Sequence, residues 1–571
     1  MKYKILLFLI ILTSFFFRLF DINWDQGFHL HPDERAITMF ATPLKFPRNI
    51  NEFISPESTW NPHFFAYGSF PFYLLKTAGN AASIISPLFS MYDKINLVGR
   101  LLSAVFDIGT LLIIFLIGRK LFNTKVGLLG AFFYGTCVFP IQLSHFFAVD
   151  SILTFFIFST LYQSIRLYEK PTIIKSLLVG FFFGLSLATK ISAVALISAI
   201  CTVLIADFLL IFLRAPHHPR NWLPHVPQFL KRLLIDGLVV AAVTISTFVL
   251  FEPYAIIDFK DFWRQTIEQS QMTKDAFFFP YTLQYVGKIP YLYELKNIFL
   301  WGQGPILATI SILGIFYAIF LIIKKQKEKK WAQEFILIIF FLSYFLIVGK
   351  FAVGWMRYML PLYPILCLFG AALTYKINNI LKTKIRSPFI LNTLYLIFYT
   401  SILIWPFSFM HIYTQPNTRV LASEWIYKNI PLNSKIGREH WDDGLPLDGT
   451  RPYQILELPI YEIQDPLREK QIYQTARDAD YIIVASNRLY APLQKIAKNC
   501  QKWNLPQDKC YKNADKYYEK LFSGSLGYKK VAEFSIYPTI PFLNITINDQ
   551  SADESFSVYD HPKVMIFQKI P

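Results

Sequence analysis

The sequence predicts a polytopic α-helical membrane protein of about eleven transmembrane helices with an external α/β domain at its C-terminal end. Three observations carry that expectation. The 571-residue chain is 54% hydrophobic and 17% aromatic, too apolar for an ordinary soluble protein. Its apolar runs repeatedly reach the roughly 20 residues that a bilayer core requires. Residues 411–571, by contrast, are charged, punctuated by proline and free of such runs.

The predicted spans are 4–20, 96–118, 126–146, 151–168, 174–189, 191–213, 233–251, 304–323, 332–349, 357–375 and 388–409. The first resembles a signal-sequence core after Lys2 and Lys4, but FFFRLFDINWD follows it with no small-residue cleavage site. It is therefore read as an uncleaved span, with Arg18 snorkelling to the interface. Residues 68–90 are apolar enough to cross, yet Pro71, Lys76, Gly79, Asn80 and Pro87 interrupt them. They are assigned to a helix lying along the outer interface. Two external loops are then large, 21–95 and 252–303, the second with aromatics from Phe277 to Tyr293 that serve as anchors or line a groove. In the tail, TRVLASEWIYKNIP predicts a helix stopped at Pro431, ILELPIYEI and DYIIVAS predict strands, and 466–479 and 489–503 predict helices. The division is a transmembrane domain over 1–410 and a soluble domain over 411–571.

The formal charge of +17 does not point to nucleic acid, because the basic residues cluster in short loops between apolar runs. Lys324, Lys325, Lys327, Lys329 and Lys330 form one such loop, and Lys376, Lys382, Lys384 and Arg386 another. The positive-inside tendency places these loops, and the N-terminus, on the cytoplasmic side of a cell membrane. An odd number of crossings then puts the tail outside. There Cys500 and Cys510 are candidates for a disulfide, whereas Cys137, Cys201 and Cys367 lie in apolar runs as small core residues.

Ionisable groups at a membrane edge are expensive to keep and tend to be functional. Asp33 and Glu34, in HPDE just after the first span, are either a solvated acid pair or a general base with a partner that orients an acceptor. Arg100 is a snorkelling anchor or a neutraliser of donor phosphate, and Asp107 is a candidate partner for it. Asp150 is a helix N-cap or a pocket residue. Lys190 interrupts GLSLATKISAVAL as an anion partner or a turn. Arg357 and Lys350 share one outer edge, where an anionic lipid headgroup explains two cations. His63 is a pocket candidate or interfacial packing. No Gly-rich phosphate loop precedes a helix, which disfavours a cytosolic nucleotide site. His217, His218 and His225 lack zinc-site spacing, and His440, Asp442 and Asp443 in GREHWDDGLP read as a polar turn.

Taken in order, HPDE, PHFFAYGSFPFYLL, RLLSA, AVDSILTFF, GLSLATK and RYMLPLYP resemble the membrane-embedded GT-C glycosyltransferases of the protein mannosyltransferase and aminoarabinose transferase type. The matches cover most of the membrane portion. His31–Pro32 departs from many members and leaves acceptor identity open. The resemblance implies the GT-C fold and inverting transfer of a sugar from a polyprenyl-phosphate carrier to an acceptor hydroxyl at the outer face. It implies Asp33 as the base and Glu34 as its assistant, with Arg100, Lys190, Arg357 and Lys350 holding the lipid phosphate. Asp150 and His63 are left to the pocket. The partners implied are the lipid-linked donor, membrane lipids and a protein, lipid or glycan acceptor, with no cofactor and no metal. The rival reading is a transporter or flippase of polyprenyl-linked sugars, which needs the basic edges but no external base. A membrane-anchored binding protein leaves the spans without a purpose.

Overall fold

The computed structural model describes residues 2–214, 226–324 and 331–571. His217, His218, His225 and all of the five-lysine loop except Lys324 lie outside the described residues.

Each predicted span coincides with helical chain, from Lys2–Leu19 at the start to Pro388–Met410 at the end. Among the described residues six helices are long and apolar enough to cross a membrane, or seven if the pair Thr124–Gly135 and Val138–Ser144, bent by 59°, is one span. Fewer segments meet that requirement than the eleven predicted. One reason is that the chain breaks at Lys190, leaving Ile173–Thr189 and Ile191–Ala206 as shorter apolar helices. The stretch assigned to the interface forms the helix Phe70–Ala82. At about 1.5 Å per residue this helix is roughly 20 Å long, short of the ~30 Å core.

Two expectations about charge are corrected in the bundle. Arg18 does not snorkel. It is fully buried, with Nε donating to Asp107 at 2.6 Å and its other nitrogens to the carbonyls of Ser14, Gly135 and Tyr134. Asp107 therefore pairs with Arg18 and not with Arg100, and it also accepts from the Tyr134 hydroxyl at 2.5 Å. An ion held in apolar surroundings persists only when its charge and its hydrogen bonds are both answered, as they are here.

The tail forms a five-stranded mixed sheet in the order β2-β1-β3-β7-β4, where β1 is Lys435–Glu439, β2 Gln454–Leu458, β3 Tyr481–Val484, β4 Tyr528–Phe534 and β7 Val564–Lys569. A small hairpin, β5 Thr539–Ile540 with β6 Ile545–Thr546, precedes β7. β3 is central and wholly buried, and its period of two divides it between two cores. Ile482 and Val484 face Leu458, Leu493 and Tyr517, while Tyr481 and Ile483 face Ile436, Ile426 and Ile566. The helices Pro466–Asp478 and Tyr490–Asn499 occupy the predicted stretches, and Thr418–Asn429 ends just before Pro431. Cys500 and Cys510 are disulfide-bonded, with Cα atoms 5.3 Å apart.

The tail is fastened to the bundle through residues 553–561. The Asp560 carboxylate accepts from Gln142 at 3.0 Å and from the Tyr413 hydroxyl at 2.8 Å. Asp553 accepts from the Tyr293 hydroxyl at 2.7 Å, and its own N–H donates to Asn297 at 3.1 Å. The 252–303 loop thus holds the C-terminal segment against the bundle.

Candidate active site

Asp33 lies in the first turn of the helix Pro32–Ala41, after the N-cap His31. Burial pushes the His31 imidazole down to about 3, so the ring is neutral, and its Nδ1 accepts the Glu34 N–H at 3.3 Å. This cap and Pro32 fix where the helix starts and so aim the two carboxylates in different directions.

Glu34 points inward. Its carboxylate takes two hydrogen bonds from Arg100, at 2.9 and 2.6 Å, and one from the Phe147 N–H at 2.8 Å. Arg100 is in turn held by Asp25 at 3.0 and 2.7 Å and by the Ile22 carbonyl at 2.8 Å. All three charged side chains are fully buried. The structure places Arg100 and Glu34, expected to hold donor phosphate and to assist at the acceptor, in this buried cluster. Their charges are spent on one another, and neither lines the cavity described below. They tie the 21–95 loop to the helix Tyr92–Leu121.

Asp33 points outward. It forms a direct ion pair with Arg357 and accepts from the Tyr67 hydroxyl at 2.7 Å. Behind Arg357 stands Asp150, 3.8 Å from its Nε, and Asp150 accepts from Lys190 Nζ at 2.8 Å. The four groups form a chain of alternating sign from Asp33 through Arg357 and Asp150 to Lys190. Asp150 is not an N-cap, since Ala148 holds that position and the carboxylate is given to the two cations. Lys190 ends the helix Ile173–Thr189 in extended conformation, which frees its side chain from the helix surface. The Lys190 ammonium also sits 4.5 Å from the Tyr358 ring centroid and 5.9 Å from that of Tyr67. The loop carrying Tyr67 packs on this break without a side chain between them. A Cβ on Gly68 would lie 1.8 Å from the Ala188 carbonyl oxygen, and the Gly68 N–H donates to Thr189 O at 3.1 Å.

A cavity of about 1610 Å³ opens over these groups. Asp33, Tyr67, Lys190, Arg357 and Tyr358 line it, with Asp150 just behind the wall. Burial alone would raise the Asp33 carboxyl, but Arg357 beside it, with help from Tyr67 and Lys190, holds it below the usual carboxylate range. Asp33 is therefore ionised. Lys350 is exposed and lines the cavity as well. His63 does not line it; its side chain is 46% exposed and lies 3.7 Å from Asp258.

Several cavity residues escaped the sequence reading. Glu252, at the end of the helix Val226–Phe251, accepts from the Ser69 N–H and from its hydroxyl at 2.9 Å, and burial pushes its carboxyl up to about 8. Arg488, Glu554 and Tyr559 enter the wall from the tail. They lie within ADYIIVASNRLY and DESFSVYDHPKV, strings that mark the tail, but nothing in those strings announces that they reach the membrane site. His440 is largely exposed, 3.8 Å from Glu457, whereas Asp442 and Asp443 are held by arginines. Arg419 holds Asp442 and Asp443 at 3.1 and 3.2 Å, and Arg35 meets Asp443 at 3.0 Å. Among the described residues no group of three or more His, Cys, Asp or Glu side chains is placed to hold a metal ion.

Residues 81–230 match the family model described as dolichyl-phosphate-mannose-protein mannosyltransferase. A search of curated protein sequences returns no match. Among solved structures, the apo oligosaccharyltransferase of Archaeoglobus fulgidus is 13% identical, with 99% of this chain and 88% of that one covered at a TM-score of 0.52. The same archaeal enzyme tethered to an acceptor peptide with the NVT sequon is also 13% identical, covering 100% and 88% at 0.51. ArnT of Cupriavidus metallidurans bound to undecaprenyl phosphate is 12% identical over 75% of this chain and 72% of that one, and its TM-score of 0.43 carries no fold argument. With a family-model match in its membrane portion and a full-length fold match, the chain is a multi-pass membrane protein built on the fold of the GT-C type glycosyltransferases.

Proposed function

We propose that this protein is an inverting glycosyltransferase that moves a hexosyl or pentosyl unit from a polyprenyl-phosphate carrier to an acceptor hydroxyl at the outer face of the membrane. The observation that carries the reading is the Asp33–Arg357–Asp150–Lys190 chain at the wall of a large cavity. A base and an anion site are held side by side there, as such a transfer requires. The partial match to the dolichyl-phosphate-mannose-protein mannosyltransferase model supports the same class of donor.

The step assigns each charge a task. The acceptor O–H gives its proton to the Asp33 carboxylate as its oxygen attacks the anomeric carbon from the face opposite the phosphate. The bond from that carbon to the phosphate oxygen breaks, and the phosphate leaves with the electron pair. Arg357 and Lys190 stabilise the negative charge that develops on it, with preorganised cations that need no reorientation during the step. Phosphate is a good leaving group, so charge neutralisation matters more than a general acid. The cavity walls restrict water, whose attack on the donor is the competing reaction. Glu34 and Arg100 serve as scaffold, and Lys350 as an outer guide for the headgroup.

The orientation follows from the same assignment. Arg119, Lys120 and Lys125 gather with Arg166 and Lys175 at one end of the bundle, where Lys120 pairs with Glu169 and Lys175 Nζ donates to the Arg166 carbonyl at 2.9 Å. The positive-inside tendency makes that end cytoplasmic, with the N-terminus there and the cavity and tail external.

The test is release or transfer of labelled sugar from a panel of polyprenyl-phosphate sugars by the purified full-length protein. Sugar released to an acceptor or slowly to water is the expected result. Movement of the lipid across the membrane with no release from any donor would replace the enzyme by a transporter.

A further inference from the structure

A second carboxylate–guanidinium pair enters the same cavity from the tail. Arg488 Nε donates to Glu554 Oε1 at 2.6 Å, and both side chains line the cavity. The Glu554 side chain is 9% exposed, and its Oε2 has no hydrogen-bond partner among the described residues. The pair is firmly placed. The Glu554 N–H donates to Gln284 of the second external loop at 3.1 Å, and Asp553 before it is fixed by Tyr293 and Asn297. Arg488 also reaches the Trp441 carbonyl at 3.5 Å, so its two bonds leave guanidinium donors unused.

Tyr559 connects this pair to the first. Its ring lies 4.3 Å from that of His31, the cap beside Asp33, and its phenol feels the charges of Arg357, Arg488, Asp33 and Glu554 together. The two pairs therefore face one space.

The chemistry of the second pair selects its ligand. Arg488 repels an ammonium, and Glu554, whose carboxyl burial pushes up to about 7 even beside Arg488, disfavours an anion once it ionises. A neutral hydroxyl pair suits both, with one O–H donating to Oε2 and a neighbouring oxygen accepting from the guanidinium. A buried carboxylate oxygen without a donor is costly to leave unsatisfied, so a hydroxyl that donates to Oε2 is favoured. Tyr281, Trp355 and Tyr559 line the same cavity, aromatic side chains of the kind that pack on the C–H surface of a pyranose or furanose. We propose that Glu554 and Arg488 form a sugar-hydroxyl subsite through which the C-terminal domain recognises carbohydrate at the reaction site. The inference rests on the glycosyltransferase reading and deepens it. The hydroxyls belong either to the transferred sugar or to a sugar of the acceptor.

The experiment uses the full-length protein in nanodiscs with three probes: bare polyprenyl phosphate, polyprenyl-phosphate mannose, glucose and arabinose, and soluble methyl glycosides of the same sugars. The wild type is expected to bind a sugar-bearing probe with an affinity that bare phosphate does not account for. Glu554→Ala and Glu554→Gln should each weaken that sugar-dependent part by about ten-fold while bare phosphate binds as before. Loss with the lipid-linked probes places the subsite on the donor. Loss with a methyl glycoside that binds alongside bare phosphate places it on the acceptor. Sugar-dependent binding that is absent from the wild type, or unchanged in both variants, overturns the proposal. Failure of the wild type to bind bare polyprenyl phosphate would instead strike at the glycosyltransferase reading, and the methyl glycosides would still report on the subsite. The glutamine variant keeps the side-chain shape, so loss of folding in the alanine variant leaves a reading.

Discussion

Arg357 meets Asp33 directly at the cavity wall, with Asp150 behind the arginine and Tyr67 on the other oxygen of the aspartate. The two charges thus neutralise each other, and on the proposed function a donor phosphate competes with Asp33 for Arg357. Once it does, the carboxylate loses its nearest counter-charge and becomes a better base. On the proposed function, binding of the donor thereby frees the carboxylate that deprotonates the acceptor.

Arg357→Ala is accordingly expected to weaken binding of polyprenyl phosphate by about ten- to hundred-fold, the worth of one or two charge-assisted hydrogen bonds. Asp33→Asn should leave that binding equal or tighter, because the competitor is removed. Titration of both variants with the bare lipid checks the pair. Weaker binding in Asp33→Asn would contradict the competition.

Glu34→Gln tests the scaffold assignment. It leaves Arg100 buried with one carboxylate in place of two, and breaking a buried ion pair costs about 3–5 kcal/mol. The expected signature is a large fall in melting temperature in detergent. A stable Glu34→Gln protein that has lost only turnover would return Glu34 to the chemistry.

His561 gives the tail a pH dependence of definite sign. Its burial lowers the imidazole, but the carboxylates of Asp549 at 2.8 Å and Asp560 at 2.5 Å outweigh burial and raise it to about 10. The folded state therefore holds a proton that the unfolded chain releases above the ordinary value of 6.5. The stabilisation is complete below about 6.5 and is lost as pH rises through about 10. Melting of the wild type should fall over that interval, and His561→Gln should remove most of the slope. An equal slope in the variant would contradict the assignment.

The disulfide loop seats on the 252–303 loop through Gly287 and Trp503. Gly287 has φ +74°, and a Cβ there would lie 2.2 Å from the Trp503 ring. Gly287→Ala should destabilise this contact by about 1–3 kcal/mol from backbone strain alone, with the clash added. Trp503→Ala in the same chain should recover the clash but not the strain. Protease sensitivity of residues 500–510 across the double-mutant cycle reads the coupling, and strictly additive effects would show that the two do not touch.

The helices were legible because hydropathy acts over long windows, β3 because YIIV is apolar and rich in β-branched residues, and β2 because its apolar residues open the string ILELPIYEI. β1 and β4, KIGRE and YKKVAEF, carry too much charge to declare themselves, since their pairing with β2, β3 and β7 is set by the sheet. Asp33, Lys190 and Arg357 were legible as charges misplaced at a membrane edge. Glu34 and Arg100 look the same in sequence, yet they answer one another and Asp25 inside the protein. Whether an edge charge faces a cavity or a partner is decided by packing between distant segments. The same reason hid Arg488, Glu554 and Tyr559, which reach the site only because the tail docks on Gln142 and the 252–303 loop.

The most direct measurement compares wild type and Asp33→Asn for transfer or hydrolysis of labelled sugar from a polyprenyl-phosphate sugar, with bare-lipid binding measured on the same preparations. General-base loss predicts a fall in turnover of about 10²–10⁴-fold with lipid binding retained. Undiminished turnover in Asp33→Asn would contradict the account at its centre.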